Sequence, residues 1–255
     1  MLDYLYDGSF EGFLTCVHYH YYHDKANNIS DKSCYQPNLL FPAFEVVTDL
    51  EKADTVYRAI EKKISSFDLK RIYRVFRSSA ESKELYLLNY IRFGFKQGSK
   101  ISLFHGSPYV SPVEKIDKNI SNEIYRMIEL LRFSVLEGNV LYAEYEPDHD
   151  ITEFLADHFT DRYKYEAFII HDKKRSKALV YFSGRWVITE FTEANIPRLS
   201  ADEEEYRALW KKYFESIAIK ERTNPKCQRG HMPVRYWKHL TEMQQPSNQK
   251  GVKPY

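Results

Sequence analysis

The sequence predicts an α+β protein, in which helices cover a mixed β-sheet and one helical layer is inserted. The main observation is the hydrophobic period of residues 139–191, which changes several times within a short span. An apolar run at 140–145 stops at Pro147, as a strand near a sheet centre does, and a helical period follows it. Short apolar runs typical of β-strands then return at 167–170, 178–182 and 186–191.

The second observation is a long helical region, which is the predicted inserted layer at about 49–133. Asp49 opens it, and Ser65-Ser66, Ser78-Ser79 and Gly98 interrupt it. A longer helix is expected from Ser111-Pro112 to Gly138, because its apolar positions keep a helical period. The N-terminal strands at 3–6 and 44–47 are expected to join the 139–191 strands in one sheet.

Local capping signals set the remaining element boundaries. Ser9 is expected to cap a helix that ends near His23. Asp148 or Asp150 is expected to cap the helix that follows the strand at 140–145. Ser200 and Glu203 form a capping-box pattern before an amphipathic helix. Residues 27–36 are polar and predict a loop, and Pro197 is expected to close the last strand.

The domain organisation follows from these signals. Residues 1–242 are predicted to form one domain, with the helical layer at about 49–133, an α+β core at about 139–219 and a basic segment at 220–242. The tail at 243–255 is polar and predicts disorder. Three cysteines without CxxC spacing support neither a disulfide framework nor a zinc site, and no apolar run could span a membrane. A cytoplasmic protein without a cofactor is expected.

The basic segment is the strongest functional signal. The formal net charge of the whole chain is only +1, so any nucleic-acid affinity must come from local charge. Residues 220–239 contain six cations and one acid, Glu221, a local charge of +5 (6 minus 1). The cations are Lys220, Arg222, Lys226, Arg229, Arg235 and Lys238. Tyr236 and Trp237 add rings that can stack on unpaired bases, although they could equally anchor the segment to the domain.

A second basic face is predicted on the helix at 66–77. Lys70, Arg74 and Arg77 recur at helical spacing opposite the apolar positions, and such a face can follow a phosphate backbone. The alternative is an ordinary solvated helix face.

The sequence also resembles a known family along residues 2–242. The motifs that carry the resemblance include 6–12 (YDGSFEG), Arg132-Phe133, 146–149 (EPDH) and 222–225 (RTNP). They resemble a bacterial family of proteins assigned to DNA repair or DNA metabolism. The resemblance implies that members occur beside a radical SAM protein with a helix-hairpin-helix tail, and that related domains are fused to uracil-DNA glycosylases. It implies an association with DNA repair and no particular activity.

A catalytic site is a weaker possibility in the central block. The candidate side chains are Asp148, His158, Arg162, His171 and Asp172. If the strands before Asp148 and Asp172 are parallel neighbours, these groups could gather at one sheet edge around a metal-activated water. Each also has a plain structural role, such as capping, turn formation or ion pairing. No metal site is predicted, because the histidines at 18, 20 and 23 lack suitably spaced partners.

Three functions remain open from the sequence. The first is a DNA-binding accessory protein in DNA repair, which acts on single-stranded or damaged DNA together with a radical SAM or base-repair enzyme. The second is a metal-dependent hydrolase acting on damaged DNA. The third is an adaptor that binds only a protein partner through the basic segment.

Overall fold

The computed structural model describes residues 1–37, 40–192, 194, 196 and 198–244. Its internal contacts divide the chain into two compact units, Met1–Ser121 and Asn122–Tyr255. The predicted α+β class is confirmed, while the single domain at 1–242 stays a prediction. Pro197, which was expected to close a strand, and residues 245–255 of the predicted disordered tail lie outside the described residues.

Unit 1 is a small parallel sheet packed against helices. Its strands pair in the order β2-β1-β3, and both pairings are parallel. The core joins Tyr6 of the sheet to Phe10, Phe13 and Phe76 of the helices through ring contacts. The elements are β1 (Leu2–Tyr6), α1 (Phe10–Tyr22), β2 (Ala26–Asp31), β3 (Ala43–Glu45), α2 (Leu50–Lys63), α3 (Ser66–Phe76), α4 (Lys83–Gln97) and the start of α5 (Ser111–Leu130).

Capping side chains define the first helices as the sequence predicts. The Ser9 hydroxyl accepts from the Gly12 N–H at the start of α1, and Asp49 accepts from the N–H groups of Glu51 and Lys52 at the start of α2. The loop predicted at 27–36 is wrong for residues 27–31, which belong to β2, while residues 32–36 form a turn and a loop. Only Ala26 and Ile29 of this edge strand are buried, so its sequence lacks an apolar run.

Unit 2 is built on a five-stranded mixed sheet in the order β4-β5-β6-β7-β8. The β5–β6 pair is parallel, and the other three pairs are antiparallel. At the β7–β8 turn, Ser183 and Gly184 both have positive φ, as the central residues of a two-residue hairpin turn do. The elements are β4 (Ser134–Leu136), β5 (Val140–Tyr145), α6 (Ala156–Arg162), β6 (Ala167–Asp172), β7 (Lys177–Phe182), β8 (Arg185–Glu190), α7 (Glu203–Ile217) and α8 (Pro225–His231).

Three further expectations are corrected. The N-terminal strands and the 139–191 strands lie in separate sheets, so the described residues contain no single mixed sheet that joins them. Helix α5 ends at Leu130 instead of Gly138, since β4 follows and pairs with β5. The capping box at Ser200 does not form: Asp202 precedes α7, and Glu203 accepts from the Val135 N–H and from Arg207 instead.

No helix in the described ranges is long and apolar enough to cross a membrane.

Candidate functional site

The carboxyl ends of β5 and β6 form a polar edge in unit 2. The two strands are parallel and pair Tyr145 with Asp172, as the hypothesis of a shared edge requires. Arg175 ties the two ends together, because its guanidinium lies 3.0 Å from Asp172 Oδ2 and 2.7 Å from the Asp148 carbonyl oxygen. The condition that the sequence hypothesis sets, parallel neighbouring strands before Asp148 and Asp172, is therefore met.

The acidic groups at this edge are engaged in ion pairs. Neither Asp148 nor Asp150 caps α6, because a 3₁₀ turn at Thr152–Leu155 precedes that helix. Asp148 instead pairs with Arg235 at 2.8 Å, and Asp150 pairs with Lys177. Asp172 is fully buried, and this burial raises its pKa despite the adjacent Arg175.

The histidine and arginine candidates do not join these acids as ligands. The buried His171 has its Nδ1 atom 2.8 Å from the Tyr142 hydroxyl. His158 lies on α6, where its buried Nε2 has no hydrogen-bond partner in the described ranges, and Arg162 is exposed above the Tyr163 ring. Among the residues that the structure describes, no three His, Cys, Asp or Glu side chains could hold a metal ion. The geometry therefore supplies no observation for the hydrolase hypothesis.

The second half of the basic segment binds this same edge. It is the 3₁₀ segment Val234–His239, called the C-terminal clasp from here on. Arg235 pairs with Asp148 at 2.8 Å, and Lys238 pairs with Glu146 at 2.7 Å. His239 Nδ1 lies 3.3 Å from Glu144 Oε1. The clasp thus uses its cations to neutralise carboxylates of its own unit.

The buried carboxylate of Glu123 on α5 anchors the clasp through Tyr236. This carboxylate is 3% exposed and accepts from the N–H groups of Asp148 and His149, both at 2.8 Å. It also accepts from the Tyr236 hydroxyl at 2.7 Å, and Tyr236 is only 2% exposed. The Tyr236 ring therefore does not lie on the surface where the sequence predicts stacking. Trp237 is half-buried and donates its indole N–H to the Met232 carbonyl oxygen.

The first half of the basic segment remains exposed. Asn224 caps α8, Pro225 occupies its first turn, and Lys226 and Arg229 lie one turn apart on this helix. Arg222 precedes α8 in a short 3₁₀ turn at Lys220–Arg222. None of these cations forms an ion pair within the described part of the chain. The basic segment is thus divided into an engaged clasp and a free cationic surface of Arg222, Lys226 and Arg229, called the α8 cations below.

The basic face predicted on α3 is also divided. Arg74 is half-buried and donates two hydrogen bonds to Asp117, at 2.7 and 3.1 Å. Arg77 is half-buried at the C-terminal end of α3, and Lys70 is exposed. These three side chains do not form one uniform cationic surface.

An open groove of about 840 Å³ in unit 2 was not predicted from the sequence. The apolar stripe of α7 is visible in the sequence, but a stripe alone does not tell whether other elements cover it. Here α7 forms one wall, and α6 with the loop before β4 contributes much of the rest. Six aromatic side chains contribute to the lining: Phe133, Phe159, Tyr163, Tyr206, Trp210 and Tyr213.

The contact between the clasp and Glu144 predicts a pH dependence. The hydrogen bond from His239 lowers the pKa of Glu144 from its usual 4.5 to about 2, and Lys173 acts in the same direction. Since the folded pKa lies below the unfolded one, this stabilisation is complete above about pH 4.5 and is lost as the pH falls toward 2. We expect the fluorescence of Trp237 to report this loss in a variant that carries Trp186→Phe and Trp210→Phe.

Glu144→Gln should flatten this acid transition, because the titrating group is gone, whereas Glu129→Gln on the exposed part of α5 should leave it unchanged. A transition of equal steepness in Glu144→Gln would show that another group controls it.

Comparisons with known proteins give one family match. A family model described as Domain of unknown function, DUF4130, matches residues 81–242, which is more than half of the chain. No curated protein matches the chain significantly. Among solved structures, the chain is similar to a pGpG-specific phosphodiesterase, PggH, from Vibrio cholerae. The two are 8% identical, with 70% of this chain and 80% of that chain covered and a TM-score of 0.32. Similarity at this level does not establish a common fold.

Proposed function

The chain belongs to the family of domains of unknown function DUF4130, and from that premise we propose that it is a DNA-binding accessory protein in DNA repair. Its ligand is single-stranded or damaged DNA, and its partner is a radical SAM or base-repair enzyme. The sequence resemblance to DNA-repair proteins supports a role in DNA repair. The free α8 cations support DNA as the ligand.

The observation that carries the proposal is the exposure of Arg222, Lys226 and Arg229. Each is exposed and lacks a carboxylate partner among the described residues, so its charge is available to a phosphate. Phosphate contacts release counterions, and they supply the sequence-independent part of nucleic-acid affinity. The only acid between residues 220 and 231 is Glu221. This short surface therefore attracts polyanions although the chain as a whole is nearly neutral.

The clasp has a supporting role in this proposal. Arg235 and Lys238, which the sequence predicts as phosphate ligands, are paired with Asp148 and Glu146. Transfer of either cation to DNA would break a partly exposed ion pair, which opposes the transfer by about 1 kcal/mol at most. The clasp fixes the polypeptide that follows α8, and the α8 cations bind the phosphates.

The test is DNA binding by the charge-reversed triple variant Arg222→Glu, Lys226→Glu, Arg229→Glu. Fluorescence anisotropy would follow a labelled single-stranded oligonucleotide at two salt concentrations. We expect wild-type binding to weaken with salt and the triple variant to bind at least about 100-fold more weakly, because three attractions become repulsions.

A matched control reverses three cations of unit 1 that are not part of the proposed interface: Lys62→Glu, Lys63→Glu and Lys96→Glu. This control has the same net charge as the test variant and should retain most of the affinity. Wild-type protein that binds no single-stranded, duplex or damaged DNA would contradict the proposal. Binding of a protein partner through the α8 cations, in the absence of DNA binding, would favour the adaptor instead.

A further inference from the structure

The apolar face of α7 is largely uncovered in the described structure. Tyr206, Leu209, Tyr213 and Ile217 are 61, 54, 55 and 56% exposed. They recur at helical spacing, so they form one continuous face along the helix. An exposed apolar face of this length is typical of a surface that binds a ligand or partner.

The groove beside α7 gives this face the shape of a binding site. Phe133 and Phe159 contact each other on its inner side, with ring centroids 5.3 Å apart. Tyr163 follows on the α6 side, while Trp210 and Tyr213 line the α7 side. The groove volume of about 840 Å³ falls within the range of roughly 300 to 1,000 Å³ that small-molecule sites occupy. Its shape and rings suit a flat, unsaturated group.

One cation of the groove has no carboxylate partner. Three arginines line it, but Arg132 is paired with Glu242 at 2.7 Å and Arg207 with Glu203 at 2.9 Å. Arg162 is exposed and forms no ion pair with a described residue, and its guanidinium lies 5.5 Å from the centroid of the Tyr163 ring. The groove therefore combines ring surfaces with one available positive charge.

From these observations we infer that the groove binds an unstacked nucleotide of single-stranded DNA. The base lies against the rings of Tyr163, Trp210 and Tyr213, and a phosphate lies at Arg162. This inference rests on the proposed function and extends it, because it separates base binding in the groove from phosphate binding at the α8 cations.

A nucleotide matches the groove better than an apolar partner helix does. A helix would cover the rings but leave the Arg162 charge without a counter-ion, whereas a nucleotide supplies a flat ring and a phosphate together. The arginine above the Tyr163 ring is an arrangement that single-strand-binding proteins use. The exposed carboxylate of Glu129 also lines the groove and can accept from the exocyclic amine of cytosine.

The first test is a titration of the full chain with deoxycytidine monophosphate, followed by NMR of the indole N–H groups. The Trp210 signal is identified by its loss in Trp210→Phe, and this N–H donates to Glu242 at the groove. We expect the nucleotide to shift the Trp210 signal and to leave those of Trp186 and Trp237 in place. Inorganic phosphate at equal concentration should shift none of them. A Trp210 signal that does not shift with the nucleotide, or that shifts equally with phosphate alone, would overturn the inference.

The second test compares exposed tyrosines by their affinity for an oligodeoxycytidine of about 12 nucleotides. Tyr213→Leu should weaken binding roughly 5-fold or more, because the variant loses one stacking surface. Tyr165→Leu is the matched control, since Tyr165 is 87% exposed and does not line the groove. Arg162→Gln should also weaken binding, while Arg185→Gln at the start of β8 should not. Equal affinities of Tyr213→Leu and Tyr165→Leu would contradict the inference.

The two proposals fail in different ways. Salt-sensitive DNA binding with a silent Trp210 signal and no effect of Tyr213→Leu would remove the groove site and leave the proposed function in place. Nucleotide binding at Trp210 without any oligonucleotide binding at the α8 cations would remove the proposed function and leave the groove site.

Discussion

The Glu123→Ala variant is expected to lose at least about 3 kcal/mol of the unfolding free energy of unit 2. Glu123 is nearly fully buried and accepts from two backbone N–H groups and the Tyr236 hydroxyl. Hydrogen bonds to a charged acceptor contribute roughly 1.5 to 3 kcal/mol each, and removal of this acceptor leaves buried donors without a partner. The clasp should also become less well fixed in Glu123→Ala, because its buried Tyr236 loses the carboxylate to which it donates.

Tryptophan fluorescence can follow this change in unit 2 alone. All three tryptophans of the chain, Trp186, Trp210 and Trp237, lie in this unit. Denaturant unfolding followed by fluorescence should show a lower midpoint for Glu123→Ala. Glu129→Ala is the matched control, because this carboxylate lies on the exposed side of the same helix. If the two variants have the same midpoint, Glu123 does not hold the clasp.

The second large effect is expected in unit 1, where Arg71→Met should cost about 3 to 5 kcal/mol. Arg71 is 9% exposed, and its guanidinium lies 3.2 Å from Asp117 and 3.1 Å from the Tyr90 hydroxyl. Asp68, which is 1% exposed, and Glu114 lie nearby at 3.7 and 3.5 Å. Methionine keeps much of the side-chain volume but leaves the buried Asp68 without a nearby cation, and that loss is the source of the cost. Asp117 keeps Arg74 as its partner.

Hydrogen exchange resolves this effect by position, since unit 1 contains no tryptophan. The amides of α3 and α4 should exchange much faster in Arg71→Met than in the wild type. Arg58→Met is the control: the Arg58–Asp54 pair at 2.8 Å has side chains that are 67% and 53% exposed, and such pairs contribute only about 0 to 1 kcal/mol. Unchanged protection in Arg71→Met would mean that the buried network does not stabilise unit 1.

The sequence predicts best where a structural signal is local. The β5–α6–β6 block follows from apolar runs that change period, and Ser9 and Asp49 cap their helices through groups a few residues away. These signals depend on neighbouring residues alone, so they can be read without the tertiary structure.

The errors arise where a distant partner decides the outcome. β2 contains few apolar residues, and its pairing with β1 is supported by a hydrogen bond from Asn27 to Asp3 at 2.9 Å. Glu203 fits the capping-box pattern, but its carboxylate accepts hydrogen bonds from the Val135 N–H and from Arg207 instead. Neither partner is visible in a local pattern.

The candidate site was predicted in part for the same reason. The cationic character of 220–242 follows from composition, but composition does not tell which cations meet Glu144, Glu146 and Asp148. Likewise, the α7 stripe indicates an amphipathic helix without showing that its apolar face stays exposed. Both properties depend on the packing of unit 2.

We propose that the basic segment is divided between the clasp, whose cations pair with carboxylates of unit 2, and the α8 cations, which bind DNA. The most direct measurement is the salt dependence of single-stranded DNA affinity for two neutralised variants. Arg222→Gln, Lys226→Gln, Arg229→Gln should reduce the slope of log affinity against log salt by about 2, because each single-strand phosphate contact contributes about 0.7. Arg235→Gln, Lys238→Gln should leave the wild-type slope unchanged. A slope that falls in the second variant and persists in the first would contradict this division.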